Sequence, residues 1–296
     1  MKKNGDLYRF FRAKKWRMDI LFRKITNRFP EPSYVSELEI DGFIEQAKNK
    51  LGNENIIDFY VDSKEWKRFL REFRFDSYLS PYYRRFKRKT IEYYFTSKIL
   101  CFENVDKEYK YIDAASSSSP WAKMLREKYG FQAYSLDIQT PENASDCFIE
   151  SDVSDMPFEN ETIDSISCQS ALEVFPEDVD IKFISEACRV IKKGGKIVIC
   201  PLYLNQEYCN VYGWSYFNES IEESGSSKKV RLDYNMSFTR LYDFENLYKR
   251  IILPAIKMGC SARLYSVNCD NGKKLLYDRL IPYIYFRFAL VIEKAQ

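Results

Sequence analysis

The sequence predicts a doubly wound α/β fold preceded by a helical N-terminal region. From residue 109 onward, short apolar runs alternate with stretches of helical periodicity, as in a parallel sheet covered on both faces. The 296 residues include 22 Phe and 23 Tyr and are 45% hydrophobic, which is enough to bury a substantial core and excludes a disordered chain. Charge divides the chain: residues 1–100 hold 23 Lys/Arg against 14 Asp/Glu, and the remainder holds 23 against 29. This division predicts two units, a basic helical region over 1–100 and an α/β domain over 101–296 with an irregular insertion at about 203–240.

The elements follow in order. Leu7, Phe10, Phe11, Met18, Leu21, Phe22, Ile25 and Phe29 recur at mostly helical spacing among ten Lys/Arg, so the first thirty residues read as a basic amphipathic helix. Pro30-Glu31-Pro32 reads as a linker, and 36–51 as a weaker helix. Asp62 or Ser63 can cap a third helix with Trp66, Phe69, Leu70 and Phe73 on one face. Ser80-Pro81 is a start signal for a long helix that includes Tyr83, Phe86, Tyr94, Phe95 and Ile99. Strands are predicted at Tyr109–Asp113, Ala133–Ile138, Cys147–Ser151, Ile163–Cys168 and Lys196–Leu202. Between them lie helices at Trp121–Tyr129, closed by Gly130, and Glu177–Lys192, closed by Gly194-Gly195. A helix at 243–258 and a hairpin-like pair of strands, 261–268 and Tyr283–Glu293, complete the chain.

The chain has no histidine, which excludes mechanisms built on a His base and His-ligated metal sites. The eight cysteines show no metal or redox spacing and read as buried thiols of a reducing compartment. No apolar run is long enough to span a membrane. A cytoplasmic protein is expected.

In a doubly wound sheet, ligands bind at the carboxyl ends of the strands. The first strand is followed by Asp113-Ala114-Ala115 and Ser116 to Ser119, then Pro120. The second ends in Asp137. The third leads into Asp152-Val153 and Met156-Pro157-Phe158. The fourth opens at Ile163-Asp164 and leads through Cys168 to Glu173. A helix-to-strand run, Glu186-Ala187-Cys188-Arg189-Val190-Ile191-Lys192-Lys193-Gly194-Gly195-Lys196, precedes Ile197-Val198-Ile199.

In this order and spacing, residues 111–202 resemble a class I S-adenosylmethionine-dependent methyltransferase of the type 11-like group. The resemblance implies a Rossmann-like seven-stranded sheet and S-adenosyl-L-methionine as cofactor. It assigns cofactor contact to Asp113, Ala115, Ser117, Ser119, Asp137, Asp152, Val153 and Cys168. A carboxylate at Asp137 suits the two ribose hydroxyls, Asp152 the adenine amino group, and the loop after the first strand the methionine carboxylate. The sequence departs from the family at that loop: it has no glycine, and Ala115, Ser117 and Ser119 stand where glycines are usual.

Each site residue also has a plainer reading. Glu173 is either a catalytic base or a solvent-facing helix-start residue. Tyr203, Tyr212, Trp214 and Tyr216 either line an acceptor pocket or pack a surface flap. Arg240 either grips an anionic acceptor or pairs with Asp243. Glu186, Arg189 and Gly194-Gly195 read as structural, a solvated helix face and a cap. The basic N-terminal helix docks on the domain or on a second subunit, lies on anionic lipid, or holds nucleic acid. The expected function is methyl transfer to a small-molecule or glycan-precursor acceptor. A non-catalytic scaffold of the same fold and an RNA methyltransferase are the alternatives.

Overall fold

The structure, a computed structural model, describes residues 37–75, 83–142, 144–213, 216, 225–231, 238–269 and 286–296. Eleven strands and six helices are built from these residues. The strands are β1 (Ile56–Val61), β2 (Lys110–Ala114), β3 (Gln132–Asp137), β4 (Phe148–Glu150), β5 (Ile163–Gln169), β6 (Ile191–Cys200), β7 (Cys209–Gly213), β8 (Ser227–Arg231), β9 (Thr239–Leu241), β10 (Cys260–Cys269) and β11 (Phe288–Lys294). The helices are α1 (Glu37–Leu51), α2 (Ser63–Glu72), α3 (Tyr83–Leu100), α4 (Trp121–Tyr129), α5 (Val179–Val190) and α6. This last helix is a continuous run of Phe244–Leu247, a π-helical Tyr248–Ile252 and Leu253–Lys257. The predicted N-terminal helix, the Ser80-Pro81 start signal and the first residues of the predicted last strand lie outside the described residues.

The main sheet has eight strands in the order β1-β10-β11-β6-β5-β2-β3-β4. All neighbours are parallel except β11, which runs antiparallel to both β10 and β6. Seven of these strands match the predicted doubly wound sheet with its terminal antiparallel pair. The eighth is β1, from a stretch to which sequence analysis assigned no element; it adds in parallel to the outer edge of β10. The sheet therefore runs across the boundary expected at residue 100.

Alternation along each strand supplies both faces of the sheet. Ile112, Leu136, Ile166, Ile197 and Ile199 pack in one core with Phe43 of α1, Ile184 of α5 and Ile251 of α6. Tyr111, Ala133, Val198 and Val291 pack in the other with Phe69 of α2, Phe95 of α3 and Trp121 of α4. Helix α3 is buried on every side from Thr90 to Ser97, unlike the amphipathic helix of a surface. Its Tyr93 ring stacks on Trp121 at 4.5 Å between centroids and 10° between planes. Asp62 caps α2 by accepting the Lys64 and Glu65 N–H groups, as predicted.

The glycine pair corrects one expectation. Helix α5 ends at Val190, and Gly194 and Gly195 lie inside β6. Ile163 opposes Ile191 while Ser165 opposes Lys196, so the pair forms a bulge in β6. A Cβ at Gly195 would meet the Lys192 and Asp164 carbonyl oxygens at 2.8 and 2.9 Å, so the close approach of backbone requires glycine there. The irregular stretch expected at 203–240 contains a second sheet of order β8-β7-β9 among its described residues.

Candidate active site

The loop from β2 to α4 shapes the carboxyl edge of the sheet. Ala115 has φ 52 and Ser117 φ 50, both in the left-handed region. This conformation costs an L-residue roughly 1–2 kcal/mol and is free to glycine. These are two of the three positions where the family resemblance expects glycine, so the backbone keeps the glycine conformation without the residue. The loop is tied at each end. Ser116 N–H donates to Leu136 O at 3.1 Å, and Ser119 N–H donates to Ser116 O at 2.9 Å. Ser117 N–H donates to Asp137 Oδ2 at 2.7 Å. The Ser119 hydroxyl donates to Asp113 Oδ2 at 3.0 Å and lies 3.0 Å from the Tyr93 hydroxyl. Ser116 Oγ is buried with no hydrogen-bond partner among the described residues.

Asp113 is 2% exposed and also accepts the Ser167 hydroxyl at 3.3 Å. Burial pushes its carboxyl up to about 6, against the pull of the Lys89 ammonium and the two serine hydroxyls. Asp137 is half-buried at the end of β3 and accepts Gln139 N–H at 3.2 Å. Beside it stands Ile138, an apolar side chain left 69% exposed, which sequence analysis did not assign to the site. Asp152 is exposed and accepts the N–H and hydroxyl of Ser154 at 2.8 and 2.7 Å, while Val153 is buried. Cys168 is 1% exposed and packs in the apolar core with Ile112 and Ile166, where burial raises its thiol pKa. Its side chain therefore serves the core and is not a ligand group.

Glu186 and Arg189 are not a solvated helix face. Glu186 Oε1 accepts Met156 N–H at 2.8 Å, and Arg189 donates to Phe158 O at 2.9 Å and Met156 O at 3.2 Å. An ion pair of 2.5 Å joins the two side chains. Together they clamp the turn that follows Asp152 and Val153.

A second polar group joins α3 to the end of β5. Lys89 Nζ donates to Glu92 Oε2 at 2.8 Å and to the main-chain carbonyl of Gln169. The Ser170 hydroxyl donates to Glu92 Oε1 at 2.8 Å, and Gln169 Nε2 donates to Thr96 Oγ1 at 2.7 Å. Ser170 has φ 51, a third non-glycine left-handed residue at this edge. Glu173 is 6% exposed, which corrects its solvent-facing reading. Burial pushes its carboxyl up to about 8, opposed by its own backbone N–H, by Lys89 and by a hydrogen bond with Tyr203. Its Oε2 has no partner among the described residues. No motif in the sequence singles out Lys89, Glu92, Thr96 or Gln169. The available signal was the set of polar residues set among aromatics in α3 with no polar face of their own.

Tyr203 is buried beside Glu173, Tyr216 is 39% exposed, and Trp214 lies outside the described residues. Arg240 is fully buried and paired with Asp180 at 3.0 Å, with a further bond from its Nη2 to Glu177 O at 2.7 Å. Its guanidinium is held inside the fold by Asp180 rather than Asp243, so the expected role in gripping an anionic acceptor is withdrawn.

Residues 102–199 match the methyltransferase domain family. No curated protein matches the chain. Among solved structures, a SAM-dependent methyltransferase from Methanosarcina mazei is 12% identical, with 67% of this chain and 98% of that one covered and a TM-score of 0.38. The Burkholderia thailandensis 1,6-didemethyltoxoflavin-N1-methyltransferase, solved with bound 1,6-didemethyltoxoflavin and S-adenosylhomocysteine, is also 12% identical. There the cover is 68% and 76% and the TM-score 0.39. The matched methyltransferase domain spans β2 to β5 and nearly all of β6, the parallel half of the main sheet.

Proposed function

We propose that the protein methylates a small-molecule acceptor, such as a glycan precursor, with Glu173 as the base. The observation that carries the cofactor part is the β2–α4 loop, which holds Ala115 and Ser117 in glycine conformations directly above Asp113 and beside Asp137. Strain of this kind persists where surrounding structure enforces it, commonly at ligand clamps. The buried Ser116 hydroxyl, without a partner among the described residues, and the exposed Ile138 side chain fit a ligand with polar and apolar parts.

S-adenosyl-L-methionine, when bound, supplies an electrophilic methyl group on a cationic sulfur. Asp137 would accept the ribose hydroxyls with the lone pairs left by Ser117 and Gln139. Ile138 and Val153 would pack on the base, with Asp152 nearby for its amino group. Among the described residues, Asp113, Glu92 and Glu173 set three carboxyl groups beside the Lys89 ammonium, and a cationic ligand would favour the ionised form of the two that burial lifts, Asp113 and Glu173. Positioning of the acceptor in line with the leaving sulfur supplies much of the rate. Glu173 Oε2 takes the proton that a hydroxyl acceptor loses. A carboxyl lifted to about 8 is a stronger base than an exposed one once it ionises.

The test uses cofactor labelled in the methyl group, with cell extract separated into small-molecule and RNA fractions. Label should enter the small-molecule fraction, and Glu173→Gln should reduce the rate by about 10²–10⁴-fold. Label in RNA alone would move the assignment to the basic N-terminal region, and label in neither fraction would favour a scaffold.

A further inference from the structure

Two buried oxygens at the carboxyl end of β5 have no partner among the described residues: Gln169 Oε1 and Glu173 Oε2. Their residues are 4% and 6% exposed, so water does not satisfy them freely. Buried acceptors left unpaired carry a desolvation penalty, and in folded proteins they call for an explanation. Neither side chain is loose. Gln169 Nε2 is fixed to Thr96 Oγ1 at 2.7 Å, which determines where Oε1 sits. The rest of the Glu173 carboxyl is engaged by its own backbone N–H and by Tyr203. The neighbouring cation, Lys89, is committed to Glu92 and the Gln169 main chain.

We propose that Gln169 Oε1 and Glu173 Oε2 form the recognition subsite for the methyl acceptor, and that this acceptor carries at least two hydrogen-bond donors, as a polyol or an amino sugar does. The inference rests on the methyltransferase reading above. An amide oxygen only accepts, and so does Glu173 in the ionised form that proton removal requires. A carboxylate acceptor would set lone pairs against lone pairs there, whereas hydroxyl or amine groups satisfy both oxygens. The subsite is positioned by Glu92 and Thr96 of α3, which precedes the matched domain at residues 102–199. Acceptor choice is thus written partly in the N-terminal region.

The experiment combines calorimetry of S-adenosylhomocysteine with a turnover panel, on wild type, Gln169→Met and Glu173→Gln. The panel is methyl glucoside, myo-inositol and glucosamine against benzoate, pyridine and a thioether, none of which carries a donor at the assay pH. Affinity for S-adenosylhomocysteine should stay within about twofold in both variants, because the two oxygens serve the acceptor. Turnover should be confined to the donor-bearing compounds, and kcat/KM should fall by about tenfold or more in Gln169→Met, the size of one lost hydrogen bond. A tenfold loss of S-adenosylhomocysteine affinity in either folded variant would assign the oxygens to the cofactor and overturn the proposal. Turnover of donor-free compounds, or of no compound in the panel, would remove the substrate class. Failure of wild type to bind S-adenosylhomocysteine is a separate result that strikes the methyltransferase reading itself.

Discussion

Glu173 and Asp113 are carboxyl groups placed where ionisation is disfavoured, and this has a measurable sign. The folded pKa values of about 8 and about 6 lie above the ordinary 4.5 and 3.8. As pH rises through the ordinary values, the unfolded chain releases protons that the folded chain keeps, so stability falls. The Asp113 contribution is complete by about pH 6, which leaves the window from about 6 to 8 to Glu173. Urea unfolding across that window should show stability falling in wild type and a flatter profile in Glu173→Gln. A wild-type profile already flat from 6 to 8 would contradict the buried, protonated carboxyl. For catalysis the sign is opposite, because the base acts when ionised: kcat/KM should rise with pH toward about 8. Asp137 offers a second residue-scale test. Its carboxylate would exchange charged hydrogen bonds with two ribose hydroxyls, so Asp137→Ala should cost about 2–3 kcal/mol of cofactor affinity. An affinity within twofold of wild type would remove it from the site.

At the scale of elements, the β2–α4 loop and the β4–β5 turn are held by different means. In the loop, strain is imposed on Ala115 and Ser117 by hydrogen bonds to Asp137, Leu136 and Asp113. Ala115→Gly should relieve part of roughly 1–2 kcal/mol of left-handed strain, offset by the greater freedom of glycine in the unfolded chain. Stability should therefore change by less than about 1 kcal/mol, with cofactor affinity kept. Ser117→Leu should block binding by its bulk; unchanged affinity in that variant would show that the loop does not meet the ligand. The turn depends on Arg189, which donates to Met156 O, Phe158 O and Asn160 Oδ1 while pairing with Glu186. Arg189→Met strands Glu186 and those acceptors and should lower stability by about 2–3 kcal/mol, measured by urea denaturation. A change below about 0.5 kcal/mol would return Glu186 and Arg189 to the role of a solvated helix face.

For the whole molecule, what was legible in the sequence followed locality. The strands from β2 to β5 are short apolar runs bounded by turn residues, and α4 carries its own stop at Gly130, so periodicity located them within a residue, whereas β6 begins at Ile191, five residues before the predicted Lys196. The places of Asp113, Asp137 and Asp152 at the carboxyl edge of the sheet were legible because they stand at or within two residues of the ends of β2, β3 and β4. The partners of those residues were not, because they are set by packing between distant segments. Nothing local in Thr90–Ser97 says that a basic-looking helix is buried on all sides. Nothing local in Ile56–Val61 says that it joins β10 across some two hundred residues. Arg240 was misread because its partner, Asp180, lies on another element. The main sheet and the cores on its two faces tie β1, α2 and α3 to the α/β domain. Residues 1–30 lie outside the matched domain and carry none of the assigned cofactor groups. Deleting them should leave cofactor affinity unchanged, whereas a chain starting at residue 101 loses β1 and the Tyr93–Trp121 stack and should not fold. A soluble, cooperatively unfolding fragment from residue 101 would show that α3 is dispensable to the core.

A glycine-free loop whose backbone holds Ala115 and Ser117 in glycine conformations should still bind the cofactor. Calorimetric titration of the full chain with S-adenosylhomocysteine, set beside Asp137→Ala, tests this most directly. Saturable binding at one site per chain is expected, weakened about thirtyfold or more in Asp137→Ala, the equivalent of about 2 kcal/mol. Absence of binding by the folded wild-type protein, or equal binding by the two, would contradict it.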